Sequence, residues 1–329
     1  MSVSSDASSP MTGVSGDVVD QPSSLSSDRL TRAIRPWHGR VRLVLALAGV
    51  AALGGFVVAA IGAGPASRPF ALDGFGFDTF SYWGLRSPVY PGPGTDDGYG
   101  FYRYSPVFLP LMVMFSYLPW PVFAASWIGI QAAAFVWLAG DHRWQSLAFV
   151  PVLFELYLGN IHLLLAVALV LGFRWPAAWA FVLLTKITPG VGLLWFAVRR
   201  EWRSLVVALG ATLAITLMGV LVAPHAWLEW YQSLRVTGPA VGTNQVAVPL
   251  PWRLVVAALV VIWGARTDRR WTVIVAATLG LPTLWFHGLA MLMGIVALRN
   301  GQPERLGQMV DRWRQRLGTS FRDLHIDPA

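Results

Sequence analysis

Residues 204–223, SLVVALGATLAITLMGVLVA, contain no charged side chain. About 20 apolar residues are what a helix needs to cross a hydrocarbon core of ~30 Å. Backbone placed in hydrocarbon must satisfy its own N–H and C=O groups, which restricts such a stretch to helix. Similar stretches, several broken by Pro or Gly, recur along the chain. Their spacing predicts about ten transmembrane helices, near 43–63, 105–118, 121–140, 145–158, 161–175, 176–198, 204–223, 252–265, 271–283 and 285–298. The expected fold class is therefore all-α, a polytopic membrane protein in which only 13% of residues are charged.

The two ends differ from this middle. Ten of the first 28 residues are Ser, and five Arg follow between Arg29 and Arg42, which marks 1–42 as a disordered cytoplasmic tail ahead of a membrane domain at 43–298. Residues 299–329 form a basic cytoplasmic tail, whose RLGQMVDRWRQRLG stretch is amphipathic and suited to lie on an anionic inner leaflet. With both termini inside, 17 of the 24 Arg fall on the cytoplasmic side, as the positive-inside rule expects for a multi-pass protein of the plasma membrane. The formal charge of +8 is thereby explained by topology, and a nucleic-acid partner is not expected. No cysteine is present, which excludes disulfides, thiolate metal sites and a thiol nucleophile.

On this topology two outer loops, 64–104 and 224–251, are long enough to carry function. Both contain aromatic, amphipathic segments suited to surface helices, DTFSYWGLRSP and PHAWLEWYQSL. Asp78 in the first is an outer carboxylate placed to act as a general base. Lys186 is the sole lysine of the chain and lies in an apolar run with Pro189 three residues on. An ammonium there costs at least ~2.5–3.5 kcal/mol on insertion scales, so it serves an anion-binding cavity, snorkels to the interface or pairs with Glu155. His287, where the last two spans meet, suits donation to phosphate. Arg103 adds a first-loop cation, and Asn244 and Gln245 are placed to read sugar hydroxyls or to form a turn. Asn160 and His162 fall on the cytoplasmic side and read as helix-packing polar residues. The first loop lacks a close Asp-x-Asp pair, so no metal is indicated.

Several of these fragments occur in one order. FDTFSYW precedes YRYSPVFLPLMVMFSYLP; then come LGNIHLLLAVAL, LLTKITPGVGLLW with a basic exit, GTNQVAVPLPWRL and PTLWFHG. Over roughly residues 45–298 the chain resembles glycosyltransferase family 87, the polyprenyl-phosphate-mannose-dependent mannosyltransferases of GT-C architecture. It departs at Asn160 and His162, where that family has Gln and Asn, and at Val246, where it has Ser.

The resemblance implies a GT-C-like fold with a large first extracytoplasmic loop, and an inverting transfer of mannose from a polyprenyl-phosphate donor to a glycolipid or glycan hydroxyl at the outer face of the bilayer. It implies Asp78 as the base, Lys186, His287 and Arg103 at the donor phosphate, and Asn244, Gln245, Tyr104 and Trp285 around sugar or acceptor. The lipid-linked donor is a substrate, and no cofactor is expected. Without the resemblance, intramembrane charges in a cavity favour a transporter or lipid flippase, although no paired repeat is visible; a non-enzymatic scaffold is the third class.

Overall fold

The computed structural model describes residues 39–54, 75–85, 89–91, 101–236 and 247–323. The chain divides into two compact units, Met1–Val44 and Leu45–Ala329. Of the first, residues 39–44 are described, and they form the exposed start of helix α1 (39–54). Everything below belongs to the second unit.

After α1 come α2 (Phe77–Trp83), α3 (Leu109–Ser116), α4 (Trp120–Ala139), α5 (Arg143–Ser146), α6 (Val150–Leu158), α7 (His162–Gly172), α8 (Trp179–Thr185) and α9 (Leu194–Val198). They are followed by α10 (Trp202–Val222), α11 (Pro224–Val236), α12 (Leu250–Arg266), α13 (Trp271–Leu279), α14 (Met293–Arg299) and α15 (Gln302–Asp323). Short 3-10 turns lead into α3, α5, α8, α9 and α14, and no strand occurs among the described residues.

Two described helices, Trp120–Ser146 and Trp202–Val222, are long and apolar enough to cross a membrane, and the bent pair α6–α7 makes a third if it counts as one span. In α10 only Ala208 is buried, while Leu209, Leu213, Leu217 and Leu221 all face outward. A helix whose one charged residue, Arg203, lies in its first turn and whose leucine surface has this extent is solvated by lipid. The opposite case is α7, in which Leu163, Leu165, Leu169 and Val170 are fully buried among α4, α8 and α14. The core thus sits around α7.

The other apolar helices are short because the sequence interrupts them. Gly159, at φ 72°, stops α6, and α7 leaves at 114° to it. After Thr185 the chain turns extended at Lys186 (φ −141°, ψ 109°), and Pro189, which cannot supply a helical N–H, opens the next turn.

Contacts at the two ends of the bundle correct the order of crossings. Arg174 pairs with Asp311 of α15 at 3.0 Å, Arg270 with Glu304 at 3.4 Å and Arg305 with Asp141 at 3.7 Å, while Asn300 reaches the Ala139 carbonyl. Residues 139–143, 174 and 270 therefore share the end that carries α15. Arg199 bonds Asp268 beside Arg270, so segment 176–198 leaves that end and returns to it, with Lys186 at its apex. Segment 105–118 starts and finishes against α2, through Tyr104 and through the Leu118 carbonyl held by Trp83.

The expectation that each of these segments is a single crossing is not met. Asn160 and His162, assigned by hydropathy to the opposite side from Asp78, lie on its side. The physical reason is length. Helices of 7–11 residues rise ~10–17 Å, half the hydrocarbon thickness, and a hydropathy window does not separate a half-depth hairpin from one full crossing.

Candidate functional site

The site forms where α2 docks onto the α6–α7 bend. A seven-residue helix does not hold itself together in isolation. Gly76, left-handed at φ 74°, turns the chain into α2 and donates its N–H to the Tyr157 carbonyl at 2.8 Å. Thr79 donates to the Leu158 and Gly159 carbonyls at 3.3 and 3.4 Å, and Trp127 Nε1 donates to Gly159 O at 2.7 Å. Gln131 Nε2 donates to the Asn160 carbonyl. Trp127 and Gln131 lie about 10 and 16 Å along α4 from Trp120, so the site is sunk well below that end of the bundle.

With the bend fixed, its side chains are aimed. Asn160 Oδ1 accepts the Ile161 N–H at 2.8 Å, which sets the amide and points Nδ2 at Asp78 Oδ2, 3.0 Å away. Tyr104 donates to the same Oδ1 at 3.5 Å and meets the Tyr82 hydroxyl at 3.0 Å. His287 Nε2 stands 3.6 Å from Asp78 Oδ2 and has no hydrogen-bond partner among the described residues. The Trp285 ring runs parallel to His287, with centroids 6.5 Å apart.

Behind these, Glu155 takes the His162 backbone N–H on Oε1 at 2.6 Å and faces His162 Nδ1 with Oε2 at 2.9 Å. The other ring nitrogen of His162 meets Lys186 Nζ at 3.0 Å, and its ring lies 5.3 Å from that of His287. A carboxylate, two imidazoles, an ammonium and the Asp78–Asn160 pair thus form one polar cluster inside an apolar bundle.

Burial pushes the Asp78 carboxyl up from 3.8 to about 6; Glu155 adds to the rise, while the Asn160 hydrogen bond and Lys186 oppose it. The side chain keeps 24% of its surface accessible, so a substrate can reach it. A carboxylate of this kind is ionised at neutral pH yet basic enough to accept a proton in a reaction. Burial also raises the phenols of Tyr82 and Tyr104, which therefore stay neutral hydrogen-bonding groups.

Glu155, His162 and His287 bring ligand atoms within 4.8 Å of one another, the spacing of a metal site. Both His162 nitrogens are already engaged, however, and one of them faces an ammonium.

Of the residues singled out from sequence, Asp78, Lys186, His287, Tyr104 and Trp285 are brought into this neighbourhood. Arg103 is exposed beside Tyr104, with no hydrogen bond or ion pair to the cluster. Asn244 and Gln245 lie outside the described residues. Sequence reasoning set aside Asn160 and His162 as packing groups, and it offered Glu155 only as a partner of Lys186. The signal that would have found Asn160 and His162 is Gly159 between two apolar runs, since a left-handed glycine there makes a bend rather than a continuous span.

Against known proteins, the model of glycosyltransferase family 87 matches residues 101–308, a span that holds every member of the cluster except Asp78 and its neighbours on α2. No curated protein and no solved structure matches the chain.

Proposed function

Because the chain belongs to glycosyltransferase family 87, we propose that this membrane glycosyltransferase moves mannose from a polyprenyl-phosphate donor to a hydroxyl of a glycolipid or glycan acceptor, with inversion and at the outer face of the plasma membrane. One observation carries the reading: an accessible carboxylate, Asp78, is fixed by Asn160 and stands 3.6 Å from His287, in the polar cluster that also holds Lys186. Inversion needs a base on the acceptor side and positive charge or donors on the leaving-group side, and these residues supply both.

Asp78 takes the acceptor proton as the new bond to the sugar C1 forms. The C1–O bond to phosphate breaks with its electron pair going to the phosphate oxygen. Polyprenyl phosphate is a stable anion, so it leaves without an acid and gains from fixed donors in a water-poor site, here the Lys186 ammonium and His287. Tyr104 and Trp285 line the sugar, and Asn244, Gln245 and Arg103 remain candidates for the sugar hydroxyls and the phosphate. The orientation is supported by the arginines at the α15 end, where Arg143 and Arg174 join Arg199, Arg200, Arg203, Arg266, Arg269 and Arg270; that end and both termini are cytoplasmic in this reading.

The test is transfer of labelled mannose from polyprenyl-phosphate mannose in membranes holding equal amounts of wild type and Asp78→Asn. Transfer by the wild type that vanishes in the variant supports both class and base. Undiminished transfer by Asp78→Asn removes Asp78 from the chemistry, and transfer by neither redirects the reading to another lipid-linked sugar and then to a transporter.

A further inference from the structure

We infer that His162, oriented by Glu155, is a positioning residue for Lys186: the Glu155–His162 pair holds the ammonium at the apex of the 176–198 hairpin so that its remaining N–H groups meet the donor phosphate. This inference rests on the proposed role of Lys186.

An ammonium donates and never accepts, so the contact of 3.0 Å between Lys186 Nζ and His162 Nε2 requires Nε2 to carry a lone pair. The ring proton is then on Nδ1, where Glu155 Oε2 accepts it at 2.9 Å. Glu155 Oε1 also takes the His162 backbone N–H at 2.6 Å, so one carboxylate fixes both the position and the tautomer of the imidazole. Glu155 and His162 are fully buried, and the carboxylate balances the ammonium across the neutral ring, which removes the cost of an isolated charge in the bundle.

A lysine needs this help here. Its four-carbon stem is flexible, and Lys186 itself sits in extended backbone between α8 and the turn at Pro189. One of its three N–H groups is committed to His162, which leaves two for an anion. A direct Glu155–Lys186 bond would pull the ammonium toward the carboxylate. The interposed imidazole keeps it a ring's width away while retaining the charge balance.

Two amide substitutions separate positioning from packing. In His162→Asn the side-chain amide replaces Nδ1 and keeps the bond to Glu155, but nothing reaches Lys186. In His162→Gln the longer side chain places its oxygen where Nε2 was and accepts from Lys186. Purified full-length protein in nanodiscs is titrated with a polyprenyl phosphate, its binding is read by tryptophan fluorescence, and donor and acceptor KM and kcat are measured beside it.

The expected result is that His162→Asn weakens polyprenyl-phosphate binding and raises donor KM roughly tenfold or more, the loss of one charge-assisted hydrogen bond. Acceptor KM and the melting temperature should stay near wild type, and His162→Gln should restore most of the binding. If His162→Asn binds like wild type while Lys186→Ala does not, the lysine holds phosphate unaided and the inference fails while the functional reading stands. If both amide variants lose stability and binding together, His162 is a packing residue and the inference is overturned. Absence of polyprenyl-phosphate binding by the wild type overturns the reading of Lys186 and this inference with it.

Discussion

Removing the Asn160 side chain should move the pH dependence of transfer to higher pH. In the wild type the Asn160 amide donates to Asp78 Oδ2 at 3.0 Å and favours the carboxylate, against the burial that lifts this group to about 6. A hydrogen bond to a charged group is worth ~1.5–3 kcal/mol. At 1.36 kcal/mol per unit its loss raises the Asp78 pKa by ~1–2 units, to ~7–8. Activity depends on the ionised form, so the rising limb of kcat/KM against pH, centred near 6 in the wild type, should shift by that amount in Asn160→Ala. At pH 7 a base of pKa about 6 is about nine-tenths ionised and one of ~7.5 about a quarter, a roughly fourfold loss that vanishes by about pH 9. For stability the sign is reversed. A carboxyl raised on folding contributes most below the unfolded value of 3.8, and that contribution is lost as pH rises through about 6. The assay is labelled-sugar transfer at subsaturating acceptor from pH 5 to 9. An unmoved or acid-shifted limb, or a loss as large at pH 9 as at pH 7, would refute Asp78 as a base tuned by Asn160.

Substitutions at Gly159 and at Arg253 test the scaffold of the site. Gly159→Ala places a Cβ 1.8 Å from Thr79 Oγ1 at a φ of 72°, so it combines ~1–2 kcal/mol of backbone strain with a clash that undocks α2. Transfer should be lost and the melting temperature lowered, with partial recovery when Thr79→Ala is added; normal transfer by the single variant would show that α2 does not need this bend. Arg253 is buried and donates to the carbonyls of Val248, Leu279, Leu281 and Pro282 at 2.7–2.9 Å. Arg253→Met leaves several of them unpaired and should cost at least ~3 kcal/mol in thermal or denaturant unfolding. Arg253→Lys should not rescue it, because a single ammonium cannot reproduce the planar fork.

The parts of the fold that were legible in the sequence are those set by composition over a long window. Helix α10 is readable because an uncharged run of that length has one solution in lipid. Asp78, Lys186 and His287 stand out because titratable groups are scarce in such a background. The order of crossings between 105 and 198 was not legible, because each α6–α7 or α8–α9 pair contains about as many apolar residues as a full span. What distinguishes them is a single backbone event, the left-handed Gly159 or the extended Lys186 before Pro189, and hydropathy averages over both. Asn160 and His162 were set on the wrong side for the same reason, and a residue assigned to the wrong end has no visible partner there; Glu155 was offered as a partner of Lys186, but not of His162. Their roles emerge only when the bend brings them to Asp78 and Lys186.

The lysine at the apex of the 176–198 hairpin has no counterpart anywhere in the 329 residues. Reagents that acylate or reductively alkylate primary amines thus have a single side-chain target in the molecule, and it lies in the polar cluster. The mass shift of the peptide that carries Lys186 can serve as a direct occupancy gauge, rising where the ammonium is open to the reagent and falling where a bound anion shields it.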